Sequence, residues 1–130
     1  MRQPGKFSLR ARLRSFVYAG RGLSTMLASQ HNAWIHAVAS VGVIGGGLLA
    51  RVGRLEWCAL VLAIVSVWTA EALNTAFEFL CDVASPEFHP LVAKAKDVAA
   101  GAVLIAAVGA TLIGLLVLGP HLACALGCCL

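Results

Sequence analysis

The chain has 130 residues, of which 60% are hydrophobic and 12% charged, with a formal net charge of +4. That balance lies outside ordinary soluble domains and leaves no room for one of any size. The chain reads as an integral membrane protein; a nucleic-acid-binding arm does not fit either, because everything after the basic N-terminal stretch is hydrocarbon-soluble.

Taken in chain order, residues 2–21 hold Arg2, Lys6, Arg10, Arg12, Arg14 and Arg21, with Leu9, Leu13, Phe16 and Val17 on one helical face. The pattern predicts a basic amphipathic helix over about 6–21, suited to an anionic membrane surface. A cleavable signal would set its apolar core directly behind the basic residues, whereas the long apolar run here begins near Ala33. The first span is expected over 33–50, with Gly42 and Gly46 at small-xxx-small spacing for close helix approach. A short turn at Arg51-Val52-Gly53-Arg54 leads to Glu56-Trp57, where an interfacial tryptophan opens a second span over 56–83. Pro86 and Pro90 bracket a loop. The third span is expected over 94–118, ending before Gly119-Pro120.

Basic residues flanking the spans give the orientation. Arg2 to Arg21, Lys94 and Lys96 fall on one side and only Arg51 and Arg54 on the other, so the N-terminus and the 82–97 loop are expected to be cytoplasmic. His31, His36 and His121 read as interfacial. Cys58, Cys81, Cys124, Cys128 and Cys129 have neither zinc-ligand nor disulfide-scaffold spacing and read as small apolar packing residues.

The second span carries the chemistry. A carboxylate inside a span costs roughly 2.5–3.5 kcal/mol on insertion scales, so such groups usually face a bundle interior and act there. At about 100° per residue, Glu71, Asn74, Glu78 and Asp82 fall on one stripe. A three-helix chain buries little by itself, and hiding the stripe from lipid calls for a homo-oligomer. Glu71 and Glu78 lie roughly 10 Å apart along the axis. Glu71 therefore suits a general base toward a lipid-depth alcohol, and Glu78 suits a metal–nucleotide complex nearer water. Lys94 and Lys96 add positive charge for phosphoryl oxygens. Two other readings stand beside this one: an intersubunit polar seam through Asn74 and Thr75, and a small oligomeric proton- or ion-coupled transporter. His89 is either a functional ligand or acid, or a hydrogen-bonding surface group. Neither a phosphate-binding Gly-x-x-x-x-Gly-Lys-Ser/Thr loop nor a protein-kinase signature occurs.

Glu71-Ala72-Leu73-Asn74-Thr75-Ala76-Phe77-Glu78, then Asp82, Ser85-Pro86-Glu87-Phe88-His89-Pro90 and Ala95-Lys96-Asp97-Val98-Ala99-Ala100-Gly101-Ala102-Val103, resemble the prokaryotic diacylglycerol kinase family, which includes the undecaprenol kinases. The resemblance extends from about Phe16 to Val117. It implies an all-α integral membrane fold, an N-terminal surface helix plus three transmembrane helices, assembled as a homotrimer in the bacterial cytoplasmic membrane. It implies transfer of the γ-phosphate of ATP, with Mg²⁺, to a membrane lipid alcohol at the cytoplasmic face. By matching position, Glu71 would be the catalytic base, Glu78 a metal ligand, Asn74 a polar partner and Lys96 a γ-phosphate contact supported by Asp97. Glu87 and His89 would border the nucleotide. Where many members carry a second metal-binding glutamate, this chain has Gln30, an amide able to coordinate Mg²⁺ without bringing charge. The loop and the Asp97–Val103 run look closer to the undecaprenol kinase branch than to the diacylglycerol branch.

Overall fold

The computed structural model describes residues 8–127; Arg2, Lys6, Cys128 and Cys129 lie outside the described residues. Four helices follow one another: α1 (Leu9–Ser29), α2 (His31–Ala50), α3 (Arg54–Ala84) and α4 (Pro90–Ala125). The last three are each long and apolar enough to cross a membrane. At 1.5 Å per residue, α3 and α4 measure about 46 and 54 Å, longer than the roughly 30 Å of hydrocarbon, so both project beyond it.

The first helix begins at Ser8, whose Oγ accepts from the Ala11 N–H, and continues past residue 21 to Ser29. Neither glycine nor proline stops it. Gln30 alone is extended (φ −112°, ψ 118°), its N–H closing α1 on the Met26 carbonyl while the next residue opens α2. One residue thus belongs to the ends of two helices, which fixes where its side chain projects.

At the other end of α2 the chain turns through Arg51 in the left-handed region (φ 53°, ψ 44°), with the Arg51 and Val52 N–H groups bonding back to the last helical turn. The expected small-residue contact sits elsewhere on the helix. Gly42 faces open space, Gly46 meets Leu118, and the tight approach is Gly47, where a Cβ would lie 2.9 Å from Trp57 Cη2. The turn is completed by Glu56, whose Oε2 accepts from the Gly53 N–H at 2.6 Å; its Oε1 lies 3.0 Å from His121 Nε2.

Along α3 the buried residues Leu60, Ala63, Val67, Glu71 and Asn74 recur every three or four positions, and Cys81 follows two turns further on. They form one stripe facing the neighbouring helices, and its lower half is apolar. Glu71 and Asn74 continue that stripe, so two polar groups occupy positions that packing alone would give to leucine or alanine.

The fourth helix departs from expectation at both ends. It starts at Pro90, favoured at the first helical position because its missing N–H is unused there, with His89 as N-cap. It then continues through Pro120 to Ala125. Pro120 deletes one backbone donor, a cost that long apolar helices tolerate when neighbouring groups re-satisfy the backbone. Cys124 is disulfide-bonded, so the packing reading fails at that cysteine. Cys58 and Cys81 are free thiols.

Candidate active site

The stripe of α3 meets the α1–α2 junction in two layers. In the outer layer, Glu78 is half-buried and both its oxygens are engaged: Gln30 Nε2 donates to Oε2 at 2.8 Å and Asn74 Nδ2 donates to Oε1 at 3.0 Å. In the inner layer, Glu71 is 1% exposed and neither of its oxygens has a hydrogen-bond partner. His36 Nε2 approaches Glu71 Oε2 to 3.8 Å, too far for a hydrogen bond, and is itself buried and unpartnered. Asn74 Oδ1 is the fourth such atom. Thr75 turns its hydroxyl back onto the Glu71 carbonyl at 2.9 Å.

Buried polar atoms are normally paired, and leaving one unsatisfied costs about 1–3 kcal/mol, more for a charged group. Four such atoms gather at Glu71, two of them its own carboxylate oxygens, and the described residues of the chain supply no partner for any of them. Depth follows from the helix geometry. Taking Trp57 as the interfacial anchor, Glu71 lies about 21 Å and Glu78 about 32 Å along the axis. With roughly 30 Å of hydrocarbon, Glu71 sits inside the far boundary and Glu78 at it.

Above this layer, Lys96 of α4 is ion-paired with Asp82, one turn beyond Glu78. Its salt bridge is with Asp82 on the facing helix, while Asp97 is exposed and makes no such contact among the described residues. Glu87 is exposed, its carbonyl accepting from Ser85 Oγ at 3.0 Å. His89 is exposed too, and its Nδ1 accepts the Leu91 N–H at 3.2 Å as the cap of α4. Gln30 and Asn74 therefore both contact Glu78, with Glu71 one turn below Asn74 and about two below Glu78. Lys96 borders them, and Glu87, His89 and Asp97 stand at the rim. Asp82, on the same stripe, is the residue that pairs with Lys96, and His36, expected at the interface, lies beside Glu71.

Among the described residues no three His, Cys, Asp or Glu side chains gather into a metal cluster. The arrangement still suits a hard cation. Both amides pivot, and turned over they would add two carbonyl oxygens to the Glu78 carboxylate, an all-oxygen set of the kind Mg²⁺ takes alongside substrate phosphates. The unpartnered Asn74 Oδ1 fits that use.

Fold and site together define a helical integral membrane protein that carries a buried polar cluster inside its second span. A sequence profile of the prokaryotic diacylglycerol kinase family matches residues 17–118. An undecaprenol kinase of Bacillus subtilis is 40% identical over 109 residues, covering 84% of this chain and 89% of its own. A diacylglycerol kinase of Synechocystis sp. is 40% identical over 109 residues, covering 83% of this chain and 62% of that longer protein. A diacylglycerol kinase of Helicobacter pylori is 42% identical over 59 residues, 45% of this chain and 46% of its own. The chain belongs to the prokaryotic diacylglycerol kinase family and is a lipid kinase.

Proposed function

We propose that the protein phosphorylates a membrane lipid alcohol with ATP and Mg²⁺ at the cytoplasmic face of the bacterial membrane, preferring undecaprenol over diacylglycerol. The observation that carries this reading is Glu71, a buried carboxylate with both oxygens unpartnered inside the hydrocarbon boundary, about two turns below Glu78 and its amide partners at the water's edge. A lipid hydroxyl reaches the first level and a nucleotide the second. Cytoplasmic placement is supported by the basic residues of α1, Lys94 and Lys96 against Arg51 and Arg54 alone on the far side. The preference for undecaprenol is supported by the Ser85–Pro90 loop, the Asp97–Val103 run and the Bacillus subtilis relative.

In this mechanism Glu71 accepts the hydroxyl proton as the oxygen attacks the γ-phosphorus in line. Glu78 would hold the cation together with the amide oxygens of Gln30 and Asn74. When bound, the cation neutralises charge on the phosphate oxygens. Lys96, held by Asp82, offers its ammonium group to the γ-phosphate, and Glu87, His89 and Asp97 border the nucleotide. A homotrimer would cover a different part of α3: Glu71 and Asn74 are already buried within the single chain, whereas Leu73, Phe77 and Leu80 remain exposed.

The test is transfer of label from γ-labelled ATP with Mg²⁺ to undecaprenol or a short-chain diacylglycerol by purified protein. Lipid-phase label that disappears in Glu71→Gln supports the reading. Absence of transfer to any lipid alcohol, together with ion flux in vesicles, would replace it by the transporter.

A further inference from the structure

Gln30, His36 and Ser40 of the first two helices run antiparallel to Glu78, Glu71 and Trp68 of α3, and each pair meets: Gln30 with Glu78 at 2.8 Å, His36 with Glu71 at 3.8 Å, and Ser40 with Trp68 at 3.0 Å. The outer two pairs are hydrogen bonds. The middle pair, the most deeply buried, stops short of one and leaves Nε2 and both carboxylate oxygens unpartnered. Two groups able to bond one another are thus held 3.8 Å apart, unbonded and with no other partner.

We propose that the partner of both is the hydroxyl of the lipid alcohol, and that His36 is a second residue binding the reacting oxygen. This inference rests on the kinase reading above. One oxygen can lie roughly 2.8 Å from each of two atoms 3.8 Å apart, and both distances are ordinary hydrogen bonds. A hydroxyl has one proton and two lone pairs. The proton points to Glu71, one lone pair accepts the His36 Nε2–H, and the second lone pair remains for phosphorus. The three directions are then assigned, which fixes the alcohol in an attacking orientation before the nucleotide engages. In the step, the O–H bond breaks and its proton passes to Glu71. The oxygen's free pair forms the bond to the γ-phosphorus, and the bridging bond to the β-phosphate breaks with its electron pair leaving on ADP.

The route by which an alcohol arrives agrees with this assignment. His36 lines one end of an apolar groove of about 460 Å³ between α2, α3 and α4, whose walls include Val43, Leu60, Ile64 and Leu118. Ser40 and Thr111 are the other polar side chains along it, and the Ser40 hydroxyl is occupied by Trp68 and the His36 carbonyl. A hydrocarbon chain lying in that groove brings its hydroxyl end to His36, not to the exposed rim.

The experiment compares His36→Leu, His36→Asn and His36→Gln with the unaltered full-length protein in lipid nanodiscs. Transfer rates are measured against the concentration of undecaprenol and of a short-chain diacylglycerol, nucleotide affinity with a fluorescent ATP analogue, and melting temperature in parallel. Loss of one buried donor to the reacting oxygen predicts a fall of roughly 30- to 100-fold in kcat/KM for the lipid in the Leu variant, at unchanged nucleotide affinity. Gln, whose amide nitrogen overlays Nε2, should recover to within about fivefold, and the shorter Asn should behave like Leu. A Leu variant as active as the parent, a Gln variant as poor as Leu, or an equal loss of nucleotide affinity would overturn the role of His36. Should Leu fail to fold, Asn against Gln decides by the same criterion. Absence of transfer by the unaltered protein overturns the kinase reading itself, and with it the role assigned here.

Discussion

Gln30→Glu is the sharpest perturbation of the outer layer. In the present chain the Gln30 amide donates to Glu78 at 2.8 Å, so the pair is held together without a cation. A glutamate at position 30 places a second negative charge at that distance. Coulomb repulsion there is about 6 kcal/mol at an effective dielectric near 20, and solvent on the open side of two half-buried groups lowers it to about 2–3 kcal/mol. A divalent ion between the carboxylates reverses the sign. Since 1.4 kcal/mol is a factor of ten, cation affinity should rise roughly 30- to 100-fold. The assay titrates free Mg²⁺ above that needed to saturate ATP while following label transfer to lipid, and records melting in EDTA and in Mg²⁺. The expected outcome is a lower half-saturating Mg²⁺ concentration, with melting depressed in EDTA and restored by the ion. A superimposable titration together with equal melting in EDTA would falsify the assignment of Gln30 to the cation.

Other substitutions probe other layers. Glu71→Gln should abolish lipid phosphorylation while leaving affinity for a fluorescent ATP analogue within about twofold, since Glu71 lies below the nucleotide layer. Glu71→Leu should be equally inactive and yet melt several degrees higher, because it replaces an unpaired buried carboxylate with a side chain suited to the Leu60–Val67 stripe; a lower melting temperature would mean that Glu71 has structural partners. Gly47→Ala forces a Cβ to 2.9 Å from Trp57 and should cost about 1–3 kcal/mol, read as a reduced melting temperature at unchanged lipid KM. Asp82→Asn should raise the KM for ATP more than that for lipid, because it releases Lys96 at the nucleotide level.

Much of this was legible from the residues. Uncharged runs located the spans, because hydrocarbon length is a strong constraint, and the positions of Glu71, Asn74 and Glu78 on one helical stripe followed from periodicity. What escaped were features decided between elements. The break at Gln30 has no glycine or proline to announce it; it is set by the Met26 carbonyl on one side and the Glu78 carboxylate on the other. The end of α4 was drawn at Pro120, since proline disfavours helix interiors, but losing one backbone bond does not stop a helix this apolar. The disulfide at Cys124 likewise depends on folded-state proximity, which spacing alone does not give.

His36 likewise has its position opposite Glu71 decided between helices. Read along its own helix it is a polar residue near a membrane boundary, and nothing local distinguishes it from His31. Its meaning comes from register. Once Gln30 and Glu78 are assigned to one cation, two antiparallel helices carry residues six further along the first and seven back along the second to the same level, which is His36 opposite Glu71. Ser40 opposite Trp68, four and three residues further, continues the same register. One anchoring pair therefore fixes a ladder of contacts between helices whose separate sequences say nothing about one another. The rung at which two buried polar groups face each other without bonding is the one on which the proposed lipid hydroxyl is placed.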